Sequence, residues 1–206
     1  IINLEETIRC IQKADKEISK ITNSGGNILF VGTKNQVKDV VQEAADACGM
    51  FYIVERWLGG TLTNFATIKK SIKRLEKLEK ESSSLYKNLT KKETIMLERE
   101  RIKLSDLHRG IKDMKYIPSA VFVVDVKLEK IAVDEAKVLG IPVFGIVDTN
   151  TNPNLIDYPI PANDDSIKTV KLILNYFVDS INSQNLSKKN EELSNVDSAT
   201  IKEEKK

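Results

Sequence analysis

The chain is poor in the residues that most often carry enzymatic chemistry and covalent cross-links. Among 206 residues it has one histidine, two cysteines and one tryptophan. Cys10 and Cys48 both fall in helical patterns and make no disulfide framework, so they read as reduced thiols in a cytosolic or organelle-matrix setting. A lone His108 beside two distant cysteines gives no zinc-ligand spacing, and nothing local supports a serine–histidine or cysteine–histidine pair. No apolar run approaches the roughly 20 residues that span a bilayer, and the first residues carry no secretory pattern. The chain opens on Ile1 instead of Met, the expectation for a processed chain or a fragment. Glycine-rich dinucleotide and Walker signatures are both missing.

What is present is an ordinary globular composition, 41% apolar and 30% charged, with an uneven charge. Between Asn64 and Gly110 there are 13 Lys/Arg against 7 Asp/Glu, a surplus of six in a chain whose total is +2. The rest is therefore acidic by four. Such asymmetry points to a polyanion-facing element on a mildly acidic body.

The hydrophobic pattern divides the chain at the same place. Asn3 with Glu6 reads as a capping-box variant, opening a helix with Ile8, Ile11, Ile18 and Ile21 at helical spacing. Ile28–Val31, Met50–Val54, Ala120–Val124 and Pro142–Val147 are short apolar runs of the kind buried on both faces of a parallel sheet. Helices carrying Val37–Ala45, Glu129–Leu139 and Asp164–Ile181 alternate with them. Tyr158-Pro159-Ile160-Pro161 suits an edge strand, because proline cannot donate to a ladder. The pattern predicts a doubly wound α/β sheet of about five parallel strands over 1–63 and 110–182. Residues 64–109 form an inserted helical hairpin, and 183–206 a disordered charged tail.

In the insertion, helices are expected over Phe65–Glu81 and Thr90–Leu107, with a linker beginning at Ser82-Ser83-Ser84. Phe65, Ile68, Ile72 and Leu75 make a narrow seam of coiled-coil type, and Lys69, Lys73, Lys77 and Lys80 a basic stripe beside it. Lys and Arg on a rigid helix can neutralise phosphates and release condensed counterions, and RNA helices are read largely through shape and backbone. Arg56-Trp57-Leu58-Gly59-Gly60-Thr61-Leu62-Thr63-Asn64 stands where the arm leaves the body, with Asn64 as its N-cap. The residues alone leave other readings open. Asp125 and Asp148 end apolar strands, beside a Gly32-Thr33-Lys34 turn where phosphate sites often occur, so a metal- or nucleotide-using enzyme is one alternative. A protein-binding helical adaptor is another.

The motifs are more particular than this. Arg56–Asn64 closely resembles the hallmark of the bacterial-type small-subunit ribosomal protein two family. The resemblance continues in Leu89-Thr90-Lys91-Lys92-Glu93, Gly110-Ile111-Lys112-Asp113-Met114 and Ile141-Pro142-Val143. Val147-Asp148-Thr149-Asn150 and Ile160-Pro161-Ala162-Asn163-Asp164-Asp165 follow in family order. It implies a three-layer flavodoxin-like sheet with an inserted coiled-coil hairpin, and no catalysis, cofactor, metal or small-molecule substrate. It implies a structural component of the small subunit, in a bacterial cytoplasmic ribosome or an organellar one. The implied partners are small-subunit rRNA and neighbouring ribosomal proteins, including the large RNA-binding first protein of the subunit. Lys69, Lys73, Arg74, Lys77, Lys91, Lys92 and Arg99 are the expected phosphate contacts, with Arg56 and Trp57 fixing the arm's base or touching RNA. Relatives carry an aromatic and basic segment upstream of Ile1-Ile2-Asn3-Leu4-Glu5, and glycine where Ala162 stands.

Overall fold

The computed structural model describes residues 2–80 and 90–203; the expected linker at Ser82-Ser83-Ser84 lies outside them. Five strands, β1 (Ile28–Val31), β2 (Phe51–Ile53), β3 (Ala120–Val124), β4 (Val143–Val147) and β5 (Tyr158–Pro161), form one sheet in the order β2-β1-β3-β4-β5. Every pairing is parallel. The six helices described are α1 (Leu4–Asn23), α2 (Lys38–Cys48), α3 (Phe65–Lys80), α4 (Lys91–His108), α5 (Lys130–Val138) and α6 (Ile167–Glu203).

Alternate strand residues feed two cores. Ile28, Phe30, Phe122, Phe144 and Ile146 pack with α1, α2 and α6 on one face. Leu29, Val31, Val121, Val123 and Val143 pack with α3, α5 and Trp57 on the other. The result is the three-layer, doubly wound fold expected. From β1 to β2 the chain moves one way along the sheet, and from β3 to β4 the other. Right-handed crossovers then require α2 and α5 on opposite faces, as observed. The reversal leaves a switch point between β1 and β3.

Two details of α1 depart from expectation. Ile8 is 56% exposed, while Thr7 takes the inward position on α1. The Thr7 hydroxyl donates to the Pro161 carbonyl at 2.6 Å, filling an acceptor on edge strand β5. Asn3 caps α1 by accepting from Glu5 N–H, and Glu6 turns instead to Arg9. The last helix also continues past Ile181 to Glu203. Among the side chains described, Ile181 is its last residue in the core, and Gln184 contacts α1 at Thr22 and Ser19.

The expected seam of α3 is buried at Phe65, Ile68, Ile72, Leu75 and Leu78. Phe65, Ile68 and Ile72 belong to the body's own core, and Glu79 near the helix end pairs with Lys112 at 2.5 Å. The first half of α3 is therefore seated on the sheet. After α4 a short 3₁₀ turn at Arg109–Ile111 returns the chain past β2. Gly110 is needed there, because a Cβ would run into the Tyr52 carbonyl and ring.

Candidate nucleic-acid interface

The Arg56–Asn64 stretch is organised by one carboxylate from α5. Glu135 Oε1 accepts from Trp57 Nε1 at 3.0 Å and Gly60 N–H at 2.7 Å. Oε2 accepts from Leu62 N–H at 2.9 Å, and from the Thr63 N–H and hydroxyl at 3.1 Å each. Gly60 has φ +87, a left-handed conformation that glycine adopts without strain and that turns its N–H toward the carboxylate. Burial alone would raise the Glu135 pKa. The donors from Trp57, Thr63, Leu62 and Gly60 outweigh it and hold the group below its ordinary value.

Trp57 is 7% exposed and its only polar atom is committed to Glu135. That bond ties Trp57 to α5 just before α3 begins. Asn64 keeps a cap-like position, but its side chain accepts from the Thr67 hydroxyl instead of a backbone N–H.

From this joint α3 presents a face of one sign. Lys70, Lys73, Arg74, Lys77 and Lys80 are all exposed, while Glu76 and Glu79 lie half-buried at its margins. Lys69 sits 5.0 Å from the Phe65 ring centroid and 5.6 Å from that of Tyr116, held by two aromatic faces. Arg74 forms a two-pronged pair with Glu100 of α4, at 3.0 and 3.1 Å, so part of its charge is spent within the protein. Lys70 was not singled out in the sequence, although it follows Lys69 and stands one turn before Arg74.

On α4, Lys91 and Lys92 occupy the exposed first turn, after a capping box in which Thr90 and Glu93 bond reciprocally. Arg99 and Arg56 come together. They line one cavity of about 400 Å³ with Lys103, Glu55, Asp106, Ile102 and Leu107. Lys103 was missed by the sequence reading, though its place four residues after Arg99 puts it on the same helical face. Glu55 also accepts from Arg109 at 3.1 Å, which leaves the cavity positive at the Arg56–Arg99–Lys103 side. Below it His108 is fully buried, with Nε2 2.8 Å from the Ser71 hydroxyl; burial lowers its pKa and favours the neutral ring.

The switch point between β1 and β3 carries the opposite charge. Thr33, in the turn after β1, gives its N–H and hydroxyl to buried Glu129 at 2.8 and 2.5 Å. Lys34 Nζ lies 3.0 Å from Asp164, 2.5 Å from Asp165 and 3.4 Å from Asp125. Three carboxylates therefore surround the one cation of the turn, whose pKa they raise against the cost of its burial. A phosphate there would meet acids where nucleotide-binding sheets offer free N–H groups. This arrangement disfavours the nucleotide alternative.

Fold and surface together define a doubly wound parallel α/β protein whose inserted helix displays a basic face, with an acidic switch point. A sequence model of the family described as "Ribosomal protein S2" matches residues 1–184. The small ribosomal subunit protein uS2 of Fusobacterium nucleatum subsp. nucleatum is 49% identical over 183 residues, covering 88% of this chain and 74% of that protein. The chain belongs to the ribosomal protein S2 family.

Proposed function

We propose that the protein is a non-enzymatic structural constituent of the small ribosomal subunit, in a bacterial cytoplasmic or an organellar ribosome. Membership of the ribosomal protein S2 family supports this reading. It holds small-subunit rRNA through the exposed face of α3, which has five basic residues and no exposed acid, and that observation carries the assignment of the surface. Lys69, Lys73, Arg74 and Lys77 contact phosphates from α3, and Lys91, Lys92 and Arg99 from α4. Arg56 joins Arg99 at the mouth of their shared cavity, while Trp57 acts through Glu135 by setting where the arm begins. Neighbouring small-subunit proteins, including the large RNA-binding first protein, complete the partners.

The test is binding of the full chain to small-subunit rRNA across a salt series. Replacing Lys69, Lys73, Lys77 and Lys91 with alanine lowers the slope of log affinity against log salt by about 0.7–0.9 per lost phosphate contact. A control variant with Lys13 and Lys20 of α1 replaced keeps the slope. An unchanged slope in the first variant would show that these lysines face solvent only.

A further inference from the structure

We propose that Tyr116 is a stacking platform for an unpaired base of RNA, set at the margin of the basic face of α3. The inference rests on the reading of that face as an rRNA-binding surface. It adds a single-stranded element that phosphate contacts alone do not require. Tyr116 is 80% exposed, in the segment between the 3₁₀ turn at Arg109–Ile111 and β3. Its neighbours on both sides are anchored. Met114 is 3% exposed and donates its N–H to the Ile111 carbonyl at 3.1 Å. Pro118 is buried, and the Ser119 N–H reaches the Asn27 carbonyl at 2.8 Å. The ring is thus held outward on a fixed backbone, although an aromatic surface left in water gains the fold little.

The surroundings of the ring define what it fits. Lys112 pairs with Glu79 near the end of α3, while Lys69 Nζ lies over the Tyr116 ring, 5.6 Å from its centroid. The segment from Lys112 to Tyr116 therefore runs back beside α3 from Glu79 to Lys69, about 15 Å of helix. Lys69 is also 5.0 Å from the centroid of buried Phe65. Both distances fall within the about 6 Å over which a ring face attracts a cation. Among the described residues Lys69 pairs with no carboxylate, so its charge remains for a phosphate. Lys73, one turn further along α3, and Lys115, next to the ring in sequence, are both exposed. An aromatic face among lysines is unlike the centre of a protein–protein interface, where lysine is depleted. It has the make-up of a single-strand RNA site, with a π-face for the base and cations for the backbone beside it. Lys69 covers one face of Tyr116, so the platform takes one base, on the opposite face.

The test measures binding of the full chain to small-subunit rRNA, and to a fully paired RNA duplex, across a salt series. Loss of one stacked base makes Tyr116→Ala about 5- to 100-fold weaker on rRNA. The slope against salt stays at the wild-type value, because a neutral ring releases no counterions. On the duplex, which offers no unpaired base, wild type and Tyr116→Ala bind equally. Tyr116→Phe keeps wild-type affinity within about twofold, whereas Tyr116→Leu, which is apolar but has no flat face, behaves as Tyr116→Ala. The ring is too exposed to support the core, and equal urea midpoints check that each variant is folded. Equal rRNA affinity of wild type and Tyr116→Ala would overturn the platform. So would an equal loss on the duplex, which would make the ring a prop for Lys69. Normal rRNA affinity with poorer incorporation into reconstituted small subunits would assign the ring to a protein neighbour and overturn it too. Failure of the wild-type chain to bind rRNA is a distinct result, and removes the reading of the α3 face itself together with the platform.

Discussion

The outer face of α3 and the carboxyl edge of the sheet hold charge in opposite ways. On α3 the lysines are spread along one exposed face, and the helix core beneath them is satisfied without them. At the sheet edge, acids converge on one lysine, and Asp164 and Glu129 are buried. Displayed charge costs the fold little and is available to a polyanion. Converged charge is tied to the positions of three loops, and altering it alters the fold. The net charge of +2 hides this division entirely.

The joint between the regions is where the comparison can be broken most severely. Glu135→Ala removes the acceptor for Trp57, Gly60, Leu62 and Thr63 and leaves buried donors unpaired. The expected loss is about 3–5 kcal/mol in urea unfolding, the scale of a buried charge network losing its partner. Glu135→Gln keeps one oxygen and loses less. The depressed pKa of Glu135 adds a pH signature. Its contribution is present above the unfolded carboxylate value and disappears as pH falls through the folded one, so wild type and Glu135→Gln converge in acid.

His108 provides a smaller and separable effect. Its folded pKa is depressed, so the unfolded chain takes up the proton first as pH falls. Stability above pH about 6.5 is lost below it, with a slope of up to about 1.4 kcal/mol per pH unit. His108→Gln, retaining a polar contact to Ser71, flattens that slope; an unchanged pH profile between 7.5 and 5 would reject the assignment. The smallest effect belongs to the Arg74–Glu100 pair, which is exposed on both sides. A double-mutant cycle on it yields about 0.5 kcal/mol or less, while Arg74→Ala alone lowers the salt slope of rRNA binding.

The central strands were legible in the sequence because parallel strands buried on both faces read as continuous apolar runs; Ile28–Val31 and Ala120–Val124 have the expected bounds, and the prolines of Tyr158–Pro161 marked the edge strand. The seam of α3 was legible through its 3–4 spacing. Glu135 was not. It lies in a helix among other charges, more than seventy residues from the loop it holds, and no periodicity marks such a partner. Thr90 with Glu93 carried a readable capping box that was noticed only as part of a family motif. Asp125 and Asp148 stood out as strand ends, whereas Asp164 and Asp165 looked like an ordinary helix start. Their convergence on Lys34 needs the sheet order, which the sequence alone left as a topology class. Ile8 was misplaced because helical spacing cannot show that a threonine would turn inward to meet an edge carbonyl.

That contact between Thr7 and Pro161 also bears on how the chain survives before it has a partner. An unpaired strand edge is a template for another copy of the same edge, and such templating leads to aggregation. On β5, Pro159 and Pro161 lack N–H donors, and α1 covers a remaining acceptor. At the opposite end the turn through Gly110 is packed against Tyr52 of β2. With both borders of the sheet obstructed, neither edge strand offers an open ladder to a second copy of the chain.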